Sequence, residues 1–179
     1  MKIRKAVPAD AEAVFRVRVK SWQTSYAGIL PAKYLADLGS EDRYREWQAD
    51  RDNLNHTKVT FVAEDGRGQI VGFASGGPEL NNDPVFQGEL YAIYLLAHSQ
   101  HQGVGTQLVQ SVSCELVNQG YQSMLVWALS ANPTRGFYEK LGGELVDQKE
   151  IEIGGAYYTE VAYGWRDIRP LVDLPIHPL

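Results

Sequence analysis

The sequence is poor in the residues that staple or metallate a small fold. Its 179 residues include one cysteine, Cys114, and two methionines. A single thiol excludes an intramolecular disulfide and a thiolate-built metal site. The four histidines, His56, His98, His101 and His177, have no ligand spacing, so no metal is expected. No apolar run approaches a membrane span, and "MKIRKAVPADAEAVF" turns polar too early for a signal peptide. The expectation is a cytoplasmic, reducing location with no membrane partner. Positive charge is also scarce: 17 Lys and Arg against 22 Asp and Glu give a net charge of −5. That argues against a nucleic-acid partner, which a basic face would serve, and leans slightly toward a cationic small molecule.

What is present suits one domain with a substantial core. "MKIRKAV" alternates as a strand. "PADAEAVFRVRVKSW" has helical spacing after Pro8 and Asp10, and "AKYLADL" and "SEDRYREWQAD" read as further helix, the latter capped by Ser40. The period then changes. "TKVTFVAED", the turn "DGRG" and "QIVGFASGGP" form a hairpin, followed by the strand "GELYAIYLLA". Val104, Leu108, Val112 and Leu116 mark a helix closed by Gly120, in which Cys114 is read as half-buried. "YQSMLVWALS" is a strand, "NPTRGFYEKLGG" a short helix started by Asn132 or Pro133, and "ELVDQKEIEI" and "AYYTEVAYGW" a closing hairpin. The proline-rich tail is expected to lie extended on the surface. The element order predicts a single mixed α/β sheet with helices on its faces.

Two glycines stand out in "QHQGVGTQLV", Gln100 to Val109. A triphosphate-binding loop needs Lys and then Ser or Thr after its last glycine, but Gly105 is followed by Thr106 and Gln107. A dinucleotide fingerprint needs a third glycine or alanine at position 108, where Leu108 stands, and an acid after the next strand. Neither fits. What remains is a strand, a turn at Gly103 and Gly105, and a helix start whose free N–H groups and dipole favour an anion, or else merely a tight turn.

Together, "LYAIYLLAHSQHQGVGTQLV" and "ANPTRGFYEKLGG" resemble the GCN5-related N-acetyltransferase family. Its Arg/Gln-x-x-Gly-x-Gly/Ala pattern is matched by Gln100, Gly103 and Gly105. Its Asn and Phe-Tyr-x-x-x-Gly-like pattern is matched by Asn132, Phe137, Tyr138, Leu141 and Gly142. The element order matches from about Met1 to Trp165. The resemblance implies an acetyltransferase domain over 1–165 with an extended tail over 166–179. It also implies a mostly antiparallel central sheet whose parallel strands splay at the coenzyme site. Acetyl-CoA is the implied co-substrate, with pyrophosphate on the amides of His101, Gln102, Gly103, Val104, Gly105 and Thr106. The pantetheine arm would lie along Ile93, Tyr94 and Leu95, and Asn132 would bond it. One departure is that "QHQ" carries no Arg or Lys, so phosphate binding would rest on amides and the dipole.

Acetyl transfer to an amine needs a base, an oxyanion donor and a proton for the leaving thiolate. By the resemblance, Tyr138 is the thiolate's donor. Glu89 is the candidate base. It lies four residues before Ile93, which on a regular strand puts both on one face with Tyr91 between them; the alternative is a solvated strand end. Glu79 and Asp83 are second choices. An amide of Ile93–Leu96 would serve the oxyanion. Trp22 and Tyr26 share a helix face and either line the acceptor site with Tyr91 or pack the core. The expected activity is direct transfer to a primary amine on a small molecule or a protein, in a ternary complex. The alternatives are an acyl-CoA-binding module without catalysis, or transfer of another acyl group or to a hydroxyl. The closing hairpin and tail raise the expectation of a homodimer.

Overall fold

The structure is a computed structural model that describes residues 1–53 and 58–175; His56 and His177 lie outside these. Among the described residues, seven strands form one sheet in the order β1-β2-β3-β4-β5-β7-β6. The strands are β1 (Lys2–Lys5), β2 (Val59–Glu64), β3 (Ile70–Pro78), β4 (Gly88–Leu95), β5 (Met124–Leu129), β6 (Glu144–Ile153) and β7 (Ala156–Trp165). Every pair is antiparallel except β4–β5. The β2–β3 turn is tied by Asp65, whose carboxylate accepts from the amides of Arg67 and Gln69.

Helices cover both faces. On one lie α1 (Ala11–Ser25), α2 (Ala32–Asp37) and α3 (Glu41–Asn53). Val14 and Val17 of α1 pack on Val62, Ile70 and Phe73. On the other face α4 (Val104–Asn118) buries its expected stripe, Val104, Leu108, Val112 and Leu116, against Ala74, Leu90 and Val126. Such an apolar stripe fixes which side of the helix meets the sheet. Cys114 falls off it and is exposed, not half-buried.

Two expectations at the chain's second half need correction. The helix of "NPTRGFYEKLGG" starts later, as α5 (Gly136–Lys140). Asn132 first builds a turn, its Oδ1 accepting from the Thr134 amide and hydroxyl at 2.9 and 2.7 Å, a local bond that competes with helix. The tail is not extended throughout, for Arg169–Val172 form α6. Pro170 stands in its first turn, where a missing N–H costs nothing. Ile168 and Leu171 are fully buried, and Gln110 of α4 donates to the Val172 carbonyl at 2.7 Å.

Candidate active site

β4 and β5 pair only at Gly88–Met124 and Glu89–Leu125, then separate. The gap opens a cavity of about 490 Å³. Around it stand Ile93, Tyr94, Leu95, Gln100, His101, Gly103, Gly105, Thr106, Asn132 and Tyr138, brought together from four stretches of chain. Of the residues expected there, two do not present side chains to it. Val104 is buried in the core, and Gln102 is exposed, its Nε2 donating back to the His98 carbonyl at 2.9 Å. Those two have only their amides to offer.

The loop is shaped by backbone. His101 and Gly103 hold φ of +60° and +75°. Gly103 is the N-cap of α4, and no side chain caps that end. The amides of Val104, Gly105 and Thr106 precede the first intrahelical donor, Gln107, and so remain available to an anion. Gly105 serves space instead: a Cβ there would stand 3.3 Å from both Leu95 and Phe137. Gln100 acts as a clamp, donating to the Leu95 carbonyl at 3.1 Å. The sequence motif lacks a cation, but the fold brings Lys140 of α5 to the cavity wall.

β4 is not regular. Ser75 pairs with Ala92 while Gly76 pairs with Leu90, so Tyr91 is an extra residue, a β-bulge. The bulge overturns the expectation that Glu89 and Ile93 share a face, because one inserted residue reverses the alternation beyond it. Leu90 and Ile93 pack toward α4. Ala92 and Tyr94 pack toward α1, and Glu89 lies with them along a second cavity of about 920 Å³. Leu96 donates to the Val71 carbonyl of β3, so alternation turns the Ile93 and Leu95 amides toward the gap.

Tyr26, Tyr91, Ala92, Tyr94 and Trp127 line both cavities, which therefore meet at the bulge. Trp22 lines the second and also packs against the core, and its ring sits 5.1 Å from Tyr26. Tyr26 also packs in the core, and its hydroxyl accepts from Asn132 Nδ2 at 3.1 Å. Asn132 is thus already engaged through both ends of its amide. Tyr91 donates its hydroxyl to the Pro78 carbonyl at 2.5 Å.

Glu89 is 8 % exposed. Burial pushes its carboxyl up to about 7; the Leu80 amide, a long 3.4 Å donor, opposes this, and Glu79 reinforces it. Glu79 and Asp83 are consumed in the preceding loop, Glu79 accepting from the Asn81 and Asp83 amides and Asp83 from Val85 and Phe86. Tyr138 is buried between Phe137 and Tyr163. Burial, with Tyr94 and Tyr26 nearby, raises its phenol above the usual range, so it stays protonated. Among the described residues no group of His, Cys, Asp and Glu is placed to hold a metal ion.

Residues the sequence reading missed line the second cavity: Arg18, Lys58, Lys149 and Glu160. Lys149 and Glu160 are register partners on β6 and β7. Arg18 precedes Trp22 by one helical turn, a spacing that could have flagged it.

The chain is 37% identical to YuaI of Bacillus subtilis, an uncharacterised N-acetyltransferase, over 96% of each chain. The chain belongs to the GCN5-related N-acetyltransferase family. Residues 81–151 match the family described as FR47-like protein. A probable N-acetyltransferase of Mycobacterium tuberculosis is 28% identical over 89% of this chain and 84% of its own. Among solved structures, the acetyltransferase superposes on a GCN5-related N-acetyltransferase from Rhodopseudomonas palustris with TM-score 0.70 at 19% identity, over 91% and 93% of the two chains. The splayed seven-stranded sheet is this family's fold, and the protein is an N-acetyltransferase. Among the described residues no helix is long and apolar enough to cross a membrane.

Proposed function

We propose that the acetyltransferase transfers acetyl directly to a primary amine in a ternary complex, with the coenzyme in the β4–β5 gap and the amine in the second cavity. The observation that carries this is the meeting of the two cavities at the β4 bulge, with Tyr138 on one side and Glu89 on the other. The coenzyme's pyrophosphate rests on the amides of His101–Thr106, with Lys140 supplying charge. Its pantetheine arm satisfies the Ile93 and Leu95 edge as an added strand would. Asn132, held by Tyr26 and Thr134, braces this wall.

A free alkylammonium has a pKa of roughly 10.4, so the amine must lose a proton before it attacks. Glu89 accepts that proton, directly or through water. The amine nitrogen then bonds to the thioester carbonyl carbon, and the oxyanion that forms is met by the Ile93 or Leu95 amide. The C–S bond breaks as Tyr138 Oη–H protonates the departing sulfur. The nitrogen, cationic after attack, releases its second proton to solvent to leave the neutral amide, and the phenolate is reprotonated from solvent. A buried, high-pKa phenol is a proton carrier that does not ionise at rest.

The reading is tested by the pH dependence of turnover. With an accepted amine, kcat/KM should rise through a group near pH 7 and level above it, since Glu89 must be ionised to act. Glu89→Gln should abolish that limb. Tyr138→Phe should lower kcat by roughly 100-fold with coenzyme affinity little changed. An unaltered limb in the first variant, or equal turnover in the second, contradicts the assigned roles.

A further inference from the structure

The second cavity holds a cation that the protein leaves unanswered. Arg18 is half-buried on α1, its guanidinium stacked over the Trp22 ring at 5.3 Å. Among the described residues it has no hydrogen bond and no ion pair. Carboxylates line the same cavity, but each is committed or placed elsewhere. Asp10 is forked by Arg4 at 2.7 and 2.9 Å and also accepts the Val7 amide. Glu160 faces Lys149 at 3.9 Å. Glu89 accepts from Leu80, and Glu152 is exposed. A guanidinium has five donors in a planar fork, and stacking on an aromatic ring aligns that fork without filling it. Its complement is an oxyanion, which pairs bidentately.

We infer that the acceptor carries an anionic group as well as its amine, and that Arg18 is the residue that selects it. The acceptor class is a small amino acid-like zwitterion: the ammonium is delivered to Glu89 and the carboxylate, or a phosphonate of similar geometry, to Arg18. This rests on the acetyl-transfer reading above and specifies its acceptor. It replaces the plain cation suggested by the chain's net charge. Eight aromatic residues, among them Trp22, Tyr94 and Trp127, line this cavity and would cover the acceptor's carbon frame.

The test uses the full chain and matched acceptors: free L-amino acids, their carboxamides, aminoalkyl phosphonates and a polyamine, each followed by coenzyme A release. Acetyl-CoA binding is measured on the same sample by calorimetry. Free acids should exceed their amides in kcat/KM. Arg18→Gln should lose about 10- to 100-fold on the free acid and almost nothing on the amide, and Arg18→Lys should recover part of the loss. A phosphonate that outperforms the carboxylate keeps Arg18 in its role and fixes the anion. Tryptophan fluorescence of the coenzyme complex, with Trp22 beneath Arg18, should respond to the free acid and not to the amide. Amides or polyamine acetylated as well as free acids, or Arg18→Gln lowering both arms equally, overturns the inference. So does transfer to none of them while acetyl-CoA still binds, and in that case the coenzyme site stands. Loss of acetyl-CoA binding itself overturns the acetyl-transfer reading and the inference with it.

Discussion

Glu89, the base of the proposed reaction, also bears on stability. Its folded pKa of about 7 lies above the ordinary 4.5, so the folded state holds the proton more tightly than the unfolded chain. Stability is therefore intact below pH 4.5 and drains away as the pH rises toward 7, by about 3 kcal/mol in all. Glu89→Gln should remove most of this slope. Denaturant melts at pH 5 and pH 8 should differ far less in the variant than in the parent, and an equal pH dependence would show that burial does not strain this carboxyl. Tyr138 was legible in the sequence because a helix motif fixes its place. The face of Glu89 was not: "ELYAIYLL" reads as one regular strand, and a bulge leaves no mark on apolar alternation. Arg18 was overlooked for a similar reason, since a lone arginine on an amphipathic helix reads as solvated surface until the cavity wall is seen.

At the scale of elements, the glycine loop has two separate causes. Gly103 is required by backbone, at φ +75°, and Gly105 by contact, where α4 starts against β4 and α5. Gly105→Ala places a methyl at 3.3 Å from Leu95 and Phe137. It should push the helix start away from the gap and weaken acetyl-CoA binding about tenfold, while thermal stability falls only modestly. Unchanged affinity would mean the loop does not touch the coenzyme. The sequence revealed the loop, the helix stripe and the order of elements, because periodicity and glycine placement are local signals. It misread the start of α5, where the Asn132 side chain builds a turn before the helix. It also misread the tail, where three prolines suggested an extended chain although Pro170 is placed where a helix tolerates it.

For the whole molecule, the decisive event is the parting of β4 and β5 after two pairs. A continuous sheet would bury those edges in hydrogen bonds, whereas the gap leaves amides unsatisfied and an extended ligand can complete them. The bulge at Tyr91 then lets one strand line two cavities, which the proposed reading assigns to coenzyme beyond the bulge and to the acceptor beside Glu89. The chain's net charge of −5 opposes an anionic coenzyme at long range. In the proposed reading, binding draws instead on local groups, the α4 amides and Lys140. The most direct measurement is a calorimetric titration with acetyl-CoA, beside desulfo-coenzyme A and the adenine nucleotide alone. Saturable 1:1 binding by acetyl-CoA and desulfo-coenzyme A, and much weaker binding by the nucleotide, is the predicted result, because the pantetheine arm completes the strand edge. Equal affinity for the nucleotide alone, or no binding of acetyl-CoA at millimolar concentration, would contradict the account.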